Sequence, residues 1–131
     1  MLKKGLKVMV FGVFDKLHKG HLFFLNEAKK FGFVEVVLAT DKNGLKEKGK
    51  LPNDNIIKRK EKIMPYVDKV ILGEEEDYLK PLFKEKPDVI CLGYDQKKHK
   101  GLLEKYLLKN SNVKIITLNS FKPEKYKTSK L

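Results

Sequence analysis

Two histidines three residues apart, His18 and His21, lie in the segment GVFDKLHKGH at residues 12–21. An apolar run that predicts a buried strand precedes the segment, and residues at helical spacing follow it. The two imidazoles are therefore expected to project into one small volume at a helix N-terminus, where unpaired N–H groups favour phosphate. Imidazole donors in that position can stabilise oxygens that gain negative charge during phosphoryl or nucleotidyl transfer.

Other residues in and around this segment favour a closely bound ligand and argue against a zinc site or a cysteine nucleophile. Gly12 is expected to let the backbone turn as the strand ends, and Gly20 lies near the helix start, where a side chain would block a close ligand. Zinc is disfavoured because two histidines are too few ligands and Asp15 is not at a standard spacing. The single cysteine, Cys91, excludes a disulfide framework, and its apolar surroundings predict a packed strand residue and not a nucleophile.

Short apolar runs alternate with amphipathic stretches along the whole chain. Runs rich in β-branched and aromatic residues predict strands at residues 6–14, 34–40, 67–73, 88–95 and 113–118. Helical spacing predicts helices at about residues 20–31, 56–64, 77–85 and 102–109. Residues 41–55 are polar and rich in Gly, Asn and Lys, which predicts an exposed loop.

This alternation predicts an α/β fold, with a doubly wound five-stranded parallel sheet of Rossmann-like type in a single domain over residues 1–131. In such sheets, ligands bind beyond the carboxyl ends of the strands, at the point where the strand order reverses. The topology therefore selects the residues that follow the strands as candidate site residues: 12–21, 41–50, 73–76, 93–96 and the tail from Phe121.

The composition excludes several classes of protein. Hydrophobic residues make up 41% of the chain, which is enough for a globular core, and no apolar run approaches the roughly 18 residues of a membrane span. The N-terminus becomes polar too early for a signal peptide, so a cytoplasmic location is expected. The net charge is +12, yet Arg59 is the only arginine. Nucleic-acid modules usually use arginines with interleaved aromatics, so the lysines are interpreted as a solvated surface or as a field that attracts a small anionic substrate.

The segment GVFDKLHKGH resembles the signature of the HxGH nucleotidyltransferases, the cytidylyltransferase-like superfamily. The stretch KPEKYKTSKL at residues 122–131 is similar to the second signature of that superfamily through Glu124, Thr128 and Ser129. Between them, LGYDQ at residues 92–96 resembles the archaeal FAD synthases, in which an LGxDQ segment follows the fourth strand. The resemblance therefore extends over nearly the whole chain.

The resemblance implies a nucleoside triphosphate bound over the first loop, whose pyrophosphate is displaced by a phosphate of a second substrate. It also implies Mg²⁺ or another divalent cation with the triphosphate. The residues implied in catalysis are His18, His21, Lys46 and Lys48. Those implied in nucleotide binding are Phe11, Gly12, Val13, Phe14, Asp15, His18, Gly20, His21, Gly93, Asp95, Gln96, Tyr126, Thr128 and Ser129. Those implied in binding the acceptor or its phosphate are Lys46, Lys48, Arg59 and Lys122.

Within the superfamily, the LGYDQ segment and the tail favour transfer of AMP from ATP to FMN, which forms FAD. Cytidylyltransferases usually carry an Asp-Trp pair at the matching segment, and this chain has no tryptophan. A cytidylyltransferase that uses CTP and glycerol 3-phosphate, or a related polyol or sugar phosphate, stays open, as does a non-catalytic nucleotide- or RNA-binding relative. A homodimer is expected because relatives are often dimers, with Phe23, Phe24 and Phe31 as candidate interface residues. No membrane partner is expected.

Overall fold

Strands and helices alternate along the chain in the computed structural model, which describes residues 5–76, 80–93, 103–104, 106 and 112–118. The strands are β1 (Lys7–Gly12), β2 (Phe33–Leu38), β3 (Lys69–Leu72), β4 (Val89–Leu92) and β5 (Lys114–Thr117). The helices are α1 (Lys19–Lys29), α2 (Asp41–Lys48), α3 (Ile56–Ile63) and α4 (Lys80–Glu85), and a 3₁₀ turn (Met64–Tyr66) follows α3. Within the described ranges, no helix has the length and apolarity needed to cross a membrane.

The strands form one parallel sheet in the order β3-β2-β1-β4-β5. Strand β1 lies at the centre, where Val10 is level with Val36 of β2 and with Cys91 of β4. The chain adds β2 and β3 on one side of β1 and then β4 and β5 on the other, so the strand order reverses between β1 and β4. The predicted doubly wound sheet is confirmed, and its ligand-binding crevice is expected at the carboxyl ends of these two strands.

Side chains of β1 alternate between two apolar cores because successive strand residues point to opposite faces of the sheet. The core shared with α1 and α3 contains Val8, Val10, Leu25, Ala28 and Ile63. The core shared with α4 and the next helical segment contains Met9, Phe11, Leu82, Leu103 and Tyr106. Burial of each large apolar side chain contributes about 1.5–3 kcal/mol, so helices on both faces hold the carboxyl end of β1 in place.

Helix α2 occupies residues 41–48, where the sequence predicts an exposed loop, so that prediction is wrong for this segment. The Thr40 side chain caps the helix by accepting a hydrogen bond from the Asn43 amide at 3.1 Å. Gly49 ends the helix with a φ of +82°, a left-handed conformation that glycine adopts at little cost. Among its own residues the helix buries only Gly44, so it has no apolar stripe that could reveal it in the sequence.

The other predicted helices agree with the structure to within a residue or two where it describes them. Helix α1 begins at Lys19 and α3 begins at Ile56. Helix α4 is described from Lys80, and residues 77–79 of the predicted helix lie outside the described residues. Three residues of the predicted helix at 102–109 are helical, and the rest of that prediction falls outside the described part of the chain; the three are Leu103, Glu104 and Tyr106.

One carboxyl group is buried in the middle of the sheet. Glu35 of β2 is 2% exposed, and its Oε1 atom has no hydrogen-bond partner among the described residues. Lys7 Nζ lies 4.0 Å from Glu35 Oε2 and also contacts Glu85, which Lys69 contacts in turn. Burial raises the pKa of Glu35, the Glu85 carboxylate raises it further, and the two lysines only partly oppose this. The folded chain therefore disfavours the ionised form of Glu35.

We expect Glu35→Gln to stabilise the chain near neutral pH and to have little effect at about pH 4. Because the folded-state pKa of Glu35 is raised, its contribution to stability is complete below the ordinary pKa of 4.5 and is lost as the pH rises through the folded-state pKa. Glutamine stays neutral, so the difference in the free energy of unfolding between the two proteins grows with pH. Urea denaturation across this pH range measures the difference, with Glu61→Gln, an exposed carboxylate of α3, as the control. A difference that stays constant with pH would contradict the prediction.

Candidate active site at the first strand-to-helix turn

The two histidines of the first loop form the N-terminal cap of α1. His18 is the N-cap residue, and its Nδ1 atom accepts a hydrogen bond from the Gly20 amide at 3.0 Å. His21 lies in the first turn of the helix, and its Nδ1 atom accepts a hydrogen bond from the His18 amide at 3.3 Å. The arrangement is a capping box, a motif usually built from Ser or Thr with Glu or Gln. The rings stack with centroids 3.8 Å apart and planes 21° apart, so both imidazoles occupy one small volume.

This cap determines which ring nitrogen carries the proton in each neutral imidazole. A ring nitrogen that accepts a hydrogen bond has no proton, so Nδ1 is the acceptor and Nε2 is the protonated nitrogen in both His18 and His21. The two rings are thereby oriented as a pair of Nε2–H donors beyond the carboxyl end of β1. Donors that are fixed before a ligand binds can stabilise charge that develops on a phosphoryl group.

Phe14 packs edge-on against His21, with ring centroids 5.3 Å apart and planes 62° apart. The Phe14 side chain is buried and also lies beside Phe24, at a centroid distance of 6.3 Å. A Cβ atom at Gly12 would lie 2.6 Å from the Phe14 ring. The backbone of Gly12 is not left-handed, so the reason for glycine here differs from the expected turn: the residue leaves room for the ring that supports His21.

The Asp15 carboxylate binds the backbone that precedes α3. Its Oδ2 atom accepts hydrogen bonds from the Asn53 amide at 2.6 Å and from Asn53 Nδ2 at 3.0 Å, and its Oδ1 atom accepts one from the Asp54 amide at 3.0 Å. Partial burial raises the pKa of Asp15, but these hydrogen bonds, helped by Arg59, outweigh it and hold the pKa below its ordinary value. The structure thus gives both carboxylate oxygens protein partners where the sequence predicts a nucleotide contact.

The Arg59 side chain is buried, and like the Asp15 carboxylate it forms hydrogen bonds with other groups of the protein. The residue is 1% exposed, and Nη1 donates to the Val13 carbonyl at 2.8 Å. Its Nε atom donates to the Asp54 carbonyl at 3.0 Å, and Nη2 donates to Asp41 Oδ1 at 2.7 Å. All three nitrogens of the guanidinium therefore donate to protein oxygens, where the sequence predicts contact with an acceptor phosphate.

Lys46 and Lys48 lie in the last turn of α2, and both are exposed. Helix α2 leaves the carboxyl end of β2, beside that of β1, so it starts at the same edge of the sheet as the histidine loop. A Cβ atom at Gly44 would lie 3.5 Å from Val13, which shows how close the middle of α2 comes to this loop. The lysines are thus on an element that packs against the first loop.

A shallow cleft opens beside α2, at the carboxyl ends of β1, β2 and β3. Its free volume is about 10 Å³, which is about the space of one water molecule. Its apolar wall is formed by Phe11, Val37, Leu38 and Ala39, and its polar side chains are Asn43, Glu47 and Glu74. Asn43 Nδ2 donates to the Glu74 carbonyl at 3.3 Å, which connects α2 to the chain after β3. The cleft adjoins the first loop, and it is too small to hold a substrate ring in this structure.

The sequence profile of the cytidylyltransferase-like family matches residues 9–131. The match begins within β1 and includes the histidine loop, α2 and α3. This chain belongs to the cytidylyltransferase-like family. The predicted resemblance is confirmed, and the sheet described above is the fold that it implies.

Known proteins and a solved structure are similar to this chain over most of its length. The FAD synthase of Ferroglobus placidus is 50% identical over 93 residues, which are 69% of this chain and 60% of that protein. The FAD synthase of Korarchaeum cryptofilum is 41% identical over 128 residues, 92% of this chain and 86% of that protein. The crystal structure of the lipopolysaccharide core biosynthesis protein from Thermoplasma volcanium GSS1 has a TM-score of 0.79 and 39% identity, and the match covers 89% of this chain and 98% of that chain.

Some site residues implied by the resemblance to this family lie outside the described residues: Asp95, Gln96, Lys122, Tyr126, Thr128 and Ser129. Gly93 follows β4, and the register that pairs Val10 with Cys91 brings it level with Gly12. Burial raises the pKa of the Cys91 thiol to about 12, so the thiol stays protonated. Cys91 is thus a packed strand residue, as predicted.

Sequence reasoning missed Asn53 and Asp54, the partners of the family's motif aspartate. The stretch PNDN at residues 52–55 indicates a turn, and the chain bends there. It does not indicate which carboxylate these amides face, because Asp15 is 38 residues away from Asn53 along the chain. Only the packing of α3 against the sheet brings the two segments together.

Proposed function

We propose that this chain is an FMN adenylyltransferase, or FAD synthase, which transfers AMP from ATP to FMN and releases pyrophosphate. The observation that supports the chemistry most directly is the reciprocal cap, which orients two imidazole Nε2–H donors beyond the carboxyl end of β1. The family match supports nucleotidyl transfer. The names of the curated relatives support ATP and FMN as the substrates.

In the proposed reaction, an oxygen of the FMN phosphate attacks the α-phosphorus of ATP. A new P–O bond forms while the bond from the α-phosphorus to the oxygen bridging the β-phosphate breaks, and pyrophosphate leaves with that electron pair. The attacking oxygen is already anionic, so no proton has to be removed from it. The protein must therefore align two anions and stabilise the charge of the transition state.

His18 and His21 are proposed to donate from Nε2 to oxygens of the α-phosphate and to the bridging oxygen. Both rings keep their protons throughout, and the amide bonds to Nδ1 prevent their rotation. Lys46 and Lys48 are proposed to approach the acceptor phosphate from α2, where both side chains are exposed. Two histidine donors and two lysine charges would then act on opposite ends of the same displacement.

Residues outside the described ranges complete the proposal through the family resemblance. Asp95 and Gln96 are proposed to contact the ribose and the base of the nucleotide; Gly93, two residues before Asp95 in the sequence, is level with Gly12 in the sheet. Thr128 and Ser129 are proposed to donate to the outgoing phosphates, with Tyr126 beside the nucleotide and Lys122 beside the acceptor phosphate.

The relatives favour FMN over glycerol 3-phosphate as the acceptor, because the proteins of Ferroglobus placidus and Korarchaeum cryptofilum are FAD synthases.

A divalent cation is proposed to arrive with the triphosphate and to neutralise part of its charge. Within the described residues, no group of three or more His, Cys, Asp or Glu side chains could hold a metal ion. Both oxygens of the Asp15 carboxylate bind protein amides. The described donors therefore do not fit a metal site built by the protein.

Pyrophosphate release over a grid of substrates tests the proposal. ATP and CTP are each paired with FMN, glycerol 3-phosphate, a sugar phosphate or no acceptor, with Mg²⁺ present. We expect release only with ATP and FMN, together with formation of FAD. Release with CTP and a polyol or sugar phosphate would reject the FMN assignment and keep the transfer chemistry. No release in any well, with ATP still raising the unfolding temperature, would favour a non-catalytic nucleotide-binding protein.

The homodimer and the cytoplasmic location stay predictions. Of the three phenylalanines that the sequence offers as interface residues, Phe24 and Phe31 are partly buried against the core of this chain, and Phe23 is half-buried. Burial within the chain thus accounts for much of their apolar surface. Light scattering after size-exclusion chromatography would determine the number of chains.

A further inference from the structure

Two residues of the first loop have left-handed backbone conformations although neither is glycine. Phe14 has a φ of +48° and Lys16 has a φ of +50°, and Asp15 lies between them. Such conformations are unfavourable for residues with a Cβ atom, and they persist where surrounding contacts fix the backbone. The loop that leads to the two histidines is therefore strained, and other parts of the protein must hold it.

Hydrogen bonds to this loop come from residues 53–59. Arg59 Nη1 binds the carbonyl of Val13, directly before Phe14, at 2.8 Å. The amides of residues 53 and 54 bind the carboxylate of Asp15, directly after Phe14, at 2.6 and 3.0 Å. The strained backbone of Phe14 is thus fixed on both sides by the same segment.

Arg59 also contacts the helix that carries the proposed catalytic lysines. Its Nη2 atom donates to Oδ1 of Asp41 at 2.7 Å, and Asp41 is the first residue of α2, which contains Lys46 and Lys48 in its last turn. The guanidinium is planar, with donors at fixed angles, so its contacts set the distance between the histidine loop and α2. Its own helix is anchored in the core by Ile63, which is fully buried.

We propose that Arg59 is a positioning residue that fixes the strained histidine loop and α2 in one geometry, and that it binds no substrate. The proposal rests on the transferase activity proposed above. The side chain is buried and its three nitrogens all donate to protein oxygens, so its positive charge is used to bind other parts of the protein and not a substrate. Without it, the histidines and the lysines would meet their two phosphates out of line, and a misplacement of about 1 Å can lower a rate roughly hundredfold.

Three variants separate positioning from the alternatives. Arg59→Lys keeps the positive charge but cannot make three contacts at fixed angles, and Asp41→Ala removes the contact to α2 alone. Lys62→Met is the matched control, because Lys62 lies in the same helix as Arg59 and the variant removes an exposed ion pair with Asp54, 2.9 Å long. Steady-state kinetics of pyrophosphate release are measured below the unfolding temperature of every variant.

We expect kcat of Arg59→Lys to fall roughly tenfold to hundredfold, with KM for ATP and for FMN within about threefold of the wild type. Asp41→Ala should show a smaller fall in kcat and should add little to Arg59→Lys in the double variant, because both remove one connection. Lys62→Met should keep the wild-type kcat. A raised KM for FMN with an unchanged kcat would overturn the proposal and make Arg59 an acceptor ligand. A lowered unfolding temperature with unchanged kcat and KM would also overturn it, because the role would then be structural only.

Hydrogen exchange of backbone amides tests the same proposal without any activity. In Arg59→Lys, we expect faster exchange for the amides of residues 14–17 and 53–54, and unchanged exchange for β2. Unchanged exchange in the first loop would overturn the proposal. If the wild-type chain releases no pyrophosphate with any substrate pair, the proposed function fails, and this measurement still decides whether Arg59 fixes the loop.

Discussion

Replacing either His18 or His21 with alanine is expected to lower kcat by two orders of magnitude or more. Each Nε2–H is proposed to donate to an oxygen whose negative charge grows in the transition state, and loss of one such donor typically costs about 2.7–4 kcal/mol. Pyrophosphate release at saturating ATP and FMN measures the effect.

Alanine also removes the cap of α1, so a second variant must separate capping from catalysis. A lost N-cap typically costs about 1 kcal/mol of stability. Asparagine is a good N-cap residue but has no donor at the Nε2 position, so His18→Asn is expected to keep the unfolding temperature and lose as much activity as His18→Ala. His99→Ala, which changes the third histidine of the chain, is the control and should keep wild-type activity. Wild-type turnover in both alanine variants would exclude the mechanism.

Gly12→Ala is expected to destabilise the chain by about 1–3 kcal/mol and to lower kcat about tenfold. The new Cβ atom would lie 2.6 Å from the ring of Phe14, which is buried and has little space to move. Because Phe14 packs edge-on against His21, a displaced ring moves or releases that imidazole. Urea denaturation and pyrophosphate release, measured on the same preparation, give the two effects.

Gly5→Ala is the matched control for this variant. Gly5 lies before β1, at the opposite end of the strand from the histidines, and an added Cβ atom there would meet no neighbour within 4 Å. Its φ of +88° makes alanine unfavourable, so the variant loses stability through the backbone alone. If Gly5→Ala and Gly12→Ala lose the same fraction of kcat, the effect of Gly12 is one of stability and the support of His21 by Phe14 is refuted.

The sheet could be predicted because its central strands are apolar runs. Strand β1 is buried on both faces, and its continuous apolar run predicts a buried strand from the local sequence alone. Helix α2 could not be predicted, because it contains a single large apolar side chain, Leu45, which is 41% exposed. Its ends depend on Thr40 and Gly49, which in the sequence are equally consistent with a loop.

The site divides in the same way between local and distant contacts. The proximity of His18 and His21 follows from their spacing at a helix start, so the sequence was sufficient for it. The orientation of the rings depends on the backbone amides of His18 and Gly20, and no residue type in the motif encodes it. For Arg59, the oxygens it binds on Val13 and Asp41 are 46 and 18 residues away along the chain, and only tertiary packing selects them.

The double use of the two imidazoles links the activity of this protein to the weakest part of one helix. Helix ends fray before helix centres, and here the frayed turn would release the atoms that hold both rings. On warming, the protein would then lose its activity at a temperature at which its sheet and both cores were still folded. A nucleotide bound at the Nε2 atoms would oppose that fraying, so the substrate would stabilise the helix turn on which its own reaction depends. Folding or fraying of the first turn of α1 would thus decide whether the two imidazoles are oriented for the reaction.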